Sequence, residues 1–134
     1  MTSEAQQYIN DMAEKRGYVL DYHKIMATAD FEVLKAANTV VSSAYLKPRL
    51  LDAKTKELLF ILSLTVMRAP KPQLKSHIQV ALDHGASPQE ILEAIEIALP
   101  EAGIVAFQYG VEAWQEVIQV ETLEPEVAVH TGKA

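Results

Sequence analysis

The stretch that decides the fold reads His84-Gly85-Ala86-Ser87-Pro88-Gln89-Glu90-Ile91-Leu92. Ser87 and Glu90 have the spacing of a capping box, in which each side chain accepts a hydrogen bond from the other residue's backbone N–H, and Pro88 suits the first helical position. Gly85 is typical of the residue that follows a helix end, because glycine adopts a positive φ without strain. One helix therefore ends and the next begins within this stretch.

Helical signals continue on both sides. Ser3 with Gln6 resembles another capping box, and Gly17 is suited to closing a first helix. Asp30 and Asp52 are predicted N-caps of helices that reach about Tyr45 and about Met67. Apolar residues recur at spacings of three and four, and the alternation typical of strands is absent. The sequence predicts an all-α, compact helical domain of about six or seven helices.

The apolar spacing also predicts which side of each helix faces inward. After Asp30 these residues are Val33, Leu34, Ala37, Val40, Val41 and Ala44. After Ser87 they are Ile91, Leu92, Ile95 and Leu99, in a helix that Pro100 is expected to end. In a last helix from Gly103 to about Val120 they are Ile104, Phe107, Val111, Trp114 and Ile118. Gly103 and Gly110 are expected to allow close helix packing.

The helix that begins after Asp52 is apolar almost all round, with the residues Leu58, Leu59, Phe60, Ile61, Leu62, Leu64 and Val66. Such a helix is buried on most of its sides. A small domain cannot cover every side by itself. We therefore expect a second subunit to cover part of this helix.

Length and composition limit the class of protein. The 134 residues match one domain, in which we expect N-terminal helices over 1–50, a core over 51–120 and a tail over 121–134. The net charge of −6 and the scattered basic residues argue against nucleic acid as a partner. No uncharged apolar run approaches the roughly 20 residues of a membrane-spanning helix, and no signal peptide is visible. We expect no membrane partner and a cytoplasmic location.

The chain contains no cysteine. Disulfides, thiolate metal sites and thiol nucleophiles are therefore excluded. The histidines are too dispersed to predict a metal site, and no phosphate-binding glycine loop is present. Acid–base chemistry by carboxylates and imidazoles is left as the main candidate.

Glu57 and His77 are the candidate catalytic residues. They lie on two predicted consecutive helices, so that a carboxylate and an imidazole can share a pocket and move a proton. Glu57 shares its helix face with Phe60, Ile61 and Leu64, where a desolvated carboxylate can act as acid or base near neutral pH. Each residue also has a purely structural explanation: Glu57 favours the positive end of its helix, and His77 fits a hydrogen-bonded core residue.

Residues around the turn before His77 are the candidates for substrate binding. Arg68, Lys71 and Lys75 could anchor a small anionic substrate, with Arg68 best suited to a bidentate contact with a carboxylate. Gln73 lies one turn before His77 on the same side of the helix and could orient a ligand or the ring. The alternative is that the basic residues form a solvated loop and that Gln73 only keeps the helix soluble.

Three segments together resemble the carboxymuconolactone decarboxylase family, which also contains the alkyl hydroperoxidase D-type proteins. They are Leu51-Asp52-Ala53-Lys54-Thr55-Lys56-Glu57-Leu58, Gln73-Leu74-Lys75-Ser76-His77, and the stretch from Ala81 to Ala94. The resemblance covers about Leu51 to Gln115. It implies an all-α fold and a homotrimer or homohexamer with sites near subunit contacts, in agreement with the over-apolar helix.

The two branches of this family differ in their catalytic groups. The peroxidase branch carries a Cys-x-x-Cys pair ahead of a histidine, and those positions here hold Pro70 and Gln73. The decarboxylase branch has Gln-Leu-x-x-His, which this chain keeps as Gln73-Leu74 and His77, although Pro72 stands where a second histidine is often found. The resemblance implies the cysteine-free, decarboxylase-type branch and a carboxy-lyase without a cofactor.

Three functions follow from these residues and from the resemblance. The first is a cofactor-free enzyme resembling 4-carboxymuconolactone decarboxylase, in which His77 donates a proton to a small carboxylated lactone or related acid from aromatic compound catabolism. The second uses the Glu57–His77 pair for isomerisation, lactone hydrolysis or dehydration. The third is a non-catalytic oligomeric scaffold or ligand-binding protein, which Pro72 favours, and in which Glu57 and His77 serve stability alone.

Overall fold

α-Helices form the regular structure of the described chain. A computed structural model of the protein describes residues 1–130, and no strand occurs in this range. The helices are α1 Glu4–Arg16, α2 Asp21–Ala29, α3 Phe31–Val41, α4 Ala53–Met67, α5 Lys71–Asp83, α6 Pro88–Glu96, α7 Ala98–Ala102 and α8 Ile104–Ile118. A π-helical turn, Ser42–Leu46, continues α3. The all-α prediction is confirmed, with seven helices of nine or more residues and the short α7.

The predicted helix ends agree with the structure where a local signal is present. The Glu90 N–H donates to Ser87 Oγ at 3.0 Å and the Ser87 N–H donates to Glu90 Oε1 at 2.9 Å, which closes the capping box of α6. Asp52 accepts from the Thr55 N–H at 2.7 Å and caps α4. Gly17 ends α1 with φ 79°, a conformation that glycine adopts without strain.

The core lies between α4, α5, α6 and α8. Its fully buried apolar side chains include Ile61, Leu74, Ile78, Ile91 and Ile95. Two aromatic side chains also fix the surrounding backbone: the Tyr109 hydroxyl donates to the Ala69 carbonyl at 2.6 Å, and the Trp114 ring N–H donates to the Pro88 carbonyl at 2.9 Å. The turns before α5 and α6 are therefore held against α8.

The N-terminal helices pack in sequence, α1 on α2 and α2 on α3, and the π-helical turn then contacts α4. Lys56 on α4 donates to the carbonyls of Tyr45 and Lys47 at 3.1 and 2.9 Å. These bonds satisfy carbonyl groups at the end of the π-helical turn, which have no partner within the helix. They also hold the N-terminal helices against the half of α4 that carries Glu57.

The predicted inner face of α3 is mostly wrong. Leu34 is buried, but Val33 and Val40 are 52% and 67% exposed, and Ala37 and Ala44 are exposed as well. α3 packs on α2 and also meets α1 through Tyr8, which contacts Phe31 and Asn38. Within residues 1–130 these contacts leave Val33 and Val40 exposed.

α4 was predicted to be buried on most of its sides. A single chain buries only some of them. Ile61 and Leu64 are buried, whereas Leu59 and Met67 are 52% and 72% exposed. A single chain therefore leaves one apolar side of α4 uncovered. Coverage of that side by another subunit stays a prediction.

Pro100 does not end the helix that begins at Pro88. α6 ends at Glu96, and Pro100 lies in the first turn of α7, where its missing N–H has no helical partner to lose. This break also turns Leu99 outward, so that it is 41% exposed rather than buried.

The predicted inner face of α8 is correct in part: Trp114 is buried, and Phe107, Val111 and Ile118 pack against the core while partly buried. Ile104 is 56% exposed, while Ala106, Gly110 and Ala113 form the buried row together with the correctly predicted Trp114. A Cβ on Gly110 would lie 2.6 Å from Thr65 Cγ2, which confirms close packing at this glycine. Gly103 does not serve packing: a Cβ there would meet nothing within 4 Å, and its φ of 88° explains the glycine instead.

Residues 119–130 form no helix and are exposed. The Gln115 side chain makes two hydrogen bonds to the backbone of Val120. The remainder of the predicted tail, 131–134, lies outside the described residues. No helix within 1–130 is both long and apolar enough to span a membrane.

Candidate active site

Glu57 and His77 meet in the interior. The Asp52 cap sets the start of α4, which brings Glu57 round to the side that faces α5. His77 Nδ1 lies 2.9 Å from Glu57 Oε1, and the two side chains are each 2% exposed. Because a carboxylate oxygen can only accept, Nδ1 carries the proton in this bond, and Nε2 is left for another partner.

Aromatic rings enclose the imidazole of His77. Phe60 stacks on it with ring centroids 4.5 Å apart and planes at 16°, and Tyr18 and Tyr45 approach it edge-on at 5.1 and 6.2 Å. Phe60 lies one turn after Glu57 on α4, so the same helix holds both the carboxylate and one face of the ring. The ring is fixed in orientation and shielded from water.

Tyr18 occupies the second nitrogen of His77. Its hydroxyl lies 3.3 Å from Nε2. Burial raises the pKa of Tyr18 to about 12, an effect that the neighbouring Arg16 opposes and Glu57 reinforces. The hydroxyl is therefore protonated at neutral pH and can donate a hydrogen bond or pass on a proton, but does not act as a phenolate.

A cavity of about 300 Å³ opens beside this chain of hydrogen bonds. It is lined by Lys15, Arg16, Tyr18, Tyr45, Leu46, Ala53, Glu57, Val80 and His84. His77 is absent from the lining and lies behind Tyr18 and Glu57. Glu57 Oε2 is buried and has no hydrogen-bond partner among residues 1–130. A molecule in the cavity would therefore meet Tyr18 and Glu57, and would reach His77 through them.

Arg16 brings a buried positive charge to the same cavity. Its side chain is 8% exposed, and Nη2 finds no partner in the described part of the chain. Nη1 lies 3.5 Å from Nε2 of His23, whose pKa is lowered to about 4 by burial and by the charge of Arg16. His23 is therefore neutral near pH 7 and does not balance the charge of Arg16.

The structure does not bring Arg68, Lys71 or Gln73 into this cavity. Arg68 ends α4, eleven residues after Glu57, which is about 16 Å along a helix axis. Lys71 instead lies 3.0 Å from Glu116, over the ring of Tyr109. Gln73 has no side-chain hydrogen bond to His77. Within one chain, the proposed substrate-binding group is thus separate from the Glu57–His77 pair.

Sequence reasoning missed Arg16 and Tyr18. Their nearest signal is Gly17, which predicts that the chain turns sharply between them after α1, but nothing local indicates where that turn packs. Residues 1–130 contain no group of three or more histidine, aspartate or glutamate side chains that could hold a metal ion.

The described chain is thus an all-α protein with a buried Glu–His pair beside a small cavity. The sequence profile of the carboxymuconolactone decarboxylase family matches residues 32–116. The chain belongs to this family, which is part of the alkyl hydroperoxidase D-like superfamily. A comparison with curated proteins finds no match. Glu57 and His77 lie inside the matched range, and Arg16 and Tyr18 lie before it.

Proposed function

We propose that the protein is an acid–base enzyme of the decarboxylase type, which acts without a cofactor on a small carboxylated lactone or a related acid. One observation carries this proposal: Glu57, His77 and Tyr18 form a continuous hydrogen-bonded chain that ends at a cavity. Such a chain can deliver a proton to a bound molecule while the imidazole stays out of water.

The proposed reaction begins with cleavage of the bond between the reacting carbon and its carboxylate. Carbon dioxide leaves, and the electron pair of that bond passes into the adjacent unsaturated system as an enolate. The Tyr18 hydroxyl then gives its proton to carbon while protonated His77 gives the Nε2 proton to the Tyr18 oxygen. One C–H bond forms, Tyr18 is restored, and His77 ends neutral, with the proton on Nδ1 still hydrogen-bonded to Glu57.

Each group has a defined role in this scheme. His77 is the proton donor of the site, and Tyr18 carries the proton across the 3.3 Å that separates His77 from the cavity wall. Glu57 stabilises the charged imidazole through the 2.9 Å contact. The pKa of Tyr18, about 12, keeps its proton in place until the carbanion forms. The same path would also serve isomerisation of an unsaturated lactone, and product analysis distinguishes the two.

We also propose that the enzyme is a homo-oligomer. Apolar side chains remain exposed along α4 and on α6–α7, and they include Leu59, Met67 and Ile97 at 52%, 72% and 52%. These residues line one groove together with Leu62 and Val66. Soluble monomers rarely expose contiguous apolar patches of this kind unless another surface covers them.

The test of the proposed function is release of carbon dioxide from γ-carboxymuconolactone by the wild type, by His77→Ala and by His77→Gln. We expect turnover by the wild type and a loss on the order of 10²-fold or more in both variants. His130→Gln is the matched control, because His130 is exposed and outside the cavity. Unchanged turnover in His77→Ala would remove His77 as the donor.

A second arm tests the class of reaction. If a panel of carboxylated lactones yields no carbon dioxide with the folded wild type, the decarboxylase proposal fails. If Glu57 and His77 variants then alter only the melting temperature, the scaffold alternative replaces it.

A further inference from the structure

We infer that Arg16 is a binding site for a carboxylate of the substrate, namely one that does not react. This inference rests on the proposed function for the choice of ligand, and on the surroundings of Arg16 for the site itself. It assigns to α1 the substrate-binding role that the sequence predicted for the turn around Arg68.

The guanidinium of Arg16 is buried without an anionic partner. Only 8% of the residue is exposed, and Arg16 is not part of any salt bridge in the described range 1–130. Burial of an unpaired charge costs several kcal/mol, so buried charges in proteins are almost always paired. Such a group in a cavity wall indicates that its partner is a bound molecule.

His23 cannot take the place of that partner. The Leu20 N–H donates to His23 Nδ1 at 3.0 Å, so Nδ1 is the nitrogen without a proton. A neutral imidazole has only one such nitrogen, and Nε2 therefore carries a proton. Arg16 Nη1, 3.5 Å from Nε2, then faces another donor. Both Nη1 and Nη2 of Arg16 are left without an acceptor.

The charges around the cavity favour an anion at Arg16. Lys15 lines the cavity in addition to Arg16, while Glu57 is its only lining carboxylate within residues 1–130. Glu57 is already bound to His77 through Oε1. The planar guanidinium matches the two oxygens of a carboxylate, and a cavity of about 300 Å³ limits the ligand to a small molecule.

The reaction determines which carboxylate Arg16 can hold. A carboxylate that leaves as carbon dioxide loses its negative charge in the transition state, so a cation beside it would stabilise the ground state and slow the step. A second carboxylate keeps its charge throughout. Held by Arg16, it would orient the reacting carbon towards Tyr18, which is two residues away on the other side of Gly17.

The position of Arg16 in the chain also bears on specificity. The family match begins at residue 32 and includes Glu57 and His77. Arg16 comes from the N-terminal helices, outside that range. The proton-transfer pair thus belongs to the part of the chain that matches the family, and the carboxylate anchor to a part that does not.

Equilibrium binding without turnover tests the anchor. The probes are 5-oxotetrahydrofuran-2-carboxylate and its carboxamide, which differ in charge but hardly in shape. Calorimetry and thermal melting compare wild type, Arg16→Gln, Arg16→Lys and the control Arg49→Gln, in which an exposed arginine is changed. We expect wild type and Arg49→Gln to bind the carboxylate at least tenfold more tightly than the carboxamide, and Arg16→Gln to lose this preference.

Melting without ligand separates binding from folding. Since Arg16 is an unpaired buried charge, ligand-free Arg16→Gln should melt at or above the wild-type temperature. The carboxylate probe should raise the melting temperature of the wild type and of Arg49→Gln but not that of Arg16→Gln. Arg16→Lys should keep part of the preference, because it retains the charge without the planar fork. It also serves as the test if Arg16→Gln does not fold.

The result that overturns the anchor is an equal preference for carboxylate in wild type and Arg16→Gln, or no preference in the wild type. His77→Ala should bind the carboxylate as the wild type does. If binding of the carboxylate depends on Arg16 but no carbon dioxide is released, the role of Arg16 stands and the proposed decarboxylase function is ruled out. If the wild type turns over the lactone and Arg16→Gln binds the carboxylate as well as the wild type does, only the proposed role of Arg16 is ruled out.

Discussion

The Tyr18 hydroxyl lies 3.3 Å from Nε2 of His77, on the opposite side of the imidazole from Glu57. Three segments of the chain therefore meet at one ring: α4 with Glu57, α5 with His77, and the connection between α1 and α2 with Tyr18. Neither nitrogen of the ring is open to solvent. Proton exchange between His77 and a ligand has to pass through one of its two partners.

Tyr18→Phe should lower turnover by about 10- to 100-fold or more with the fold intact, because it removes the hydroxyl that links His77 to the cavity. The ring contacts with His77 are retained in phenylalanine. Steady-state kinetics on a carboxylated lactone measure the effect, with Tyr22→Phe as the control at a tyrosine that is 52% exposed. Equal rates for Tyr18→Phe and wild type would mean that the proton takes another path.

The free energy of unfolding should decrease as the pH is lowered below about 6.5, because of His23. Its pKa is lowered from 6.5 to about 4 in the folded protein, so the unfolded chain binds more protons between these values. The contribution is fully present above pH 6.5 and is lost as the pH falls towards 4. It is on the order of 2 kcal/mol.

Urea unfolding of wild type and His23→Gln across this pH range measures the difference in slope. The variant should lose less stability on acidification than the wild type. His130→Gln, at an exposed histidine, should follow the wild type. A His23→Gln curve parallel to that of the wild type would contradict the assignment.

Gly110→Ala should destabilise the fold by about 1–3 kcal/mol, since the new methyl group would overpack the contact between α8 and α4. The ideal Cβ lies 2.6 Å from Thr65 Cγ2 and 2.8 Å from Ile95 Cγ2. Adding Thr65→Ser removes the nearer methyl group and should recover part of the loss, measured against Thr65→Ser alone. If Gly110→Ala instead increases the free energy of unfolding by about 1 kcal/mol, as helix propensity alone predicts, Thr65 and Ile95 move aside at little cost.

Leu59→Glu should shift the protein towards monomer, because it places a charge on the exposed apolar side of α4. Light scattering after size exclusion gives the mass directly. Leu123→Glu is the matched control, at a leucine that is 99% exposed beyond the last helix. A wild type that is already monomeric at micromolar concentration would rule out the proposed homo-oligomer.

Local signals predicted much of the helical order. Asp52, Ser87 and Gly17 mark helix ends by hydrogen bonds or dihedral angles within three residues, and such signals do not depend on the rest of the fold. Pro100 was misread because proline fits both after a helix and in the first turn of the next one. The inner face of α3 was misread because apolar spacing indicates which face of a helix is apolar, not whether other helices of the chain pack on it.

The site was predictable only where both partners had independent signals. Glu57 and His77 stand on helices whose ends were predicted, and the family resemblance pointed to the same two positions. Tyr18 meets His77 across 59 positions of sequence, and no local pattern fixes such a distance. Arg68 and Lys71 were predicted to bind the substrate because they are charged and close to His77 in sequence. The charged residue that the fold buries beside the cavity is instead Arg16.

The left-handed residue at the end of α1, Gly17, sets the distance between two side chains of the cavity. Gly17, with φ 79°, is all that separates Arg16 from Tyr18 along the chain. If one side chain holds a carboxylate and the other delivers a proton, the dihedral angles of a single residue fix the spacing between charge and reacting carbon that a substrate must have. Ligands would then be sorted by their length, and lengthening this turn by one residue would change which acid is accepted while leaving the imidazole chemistry as it is.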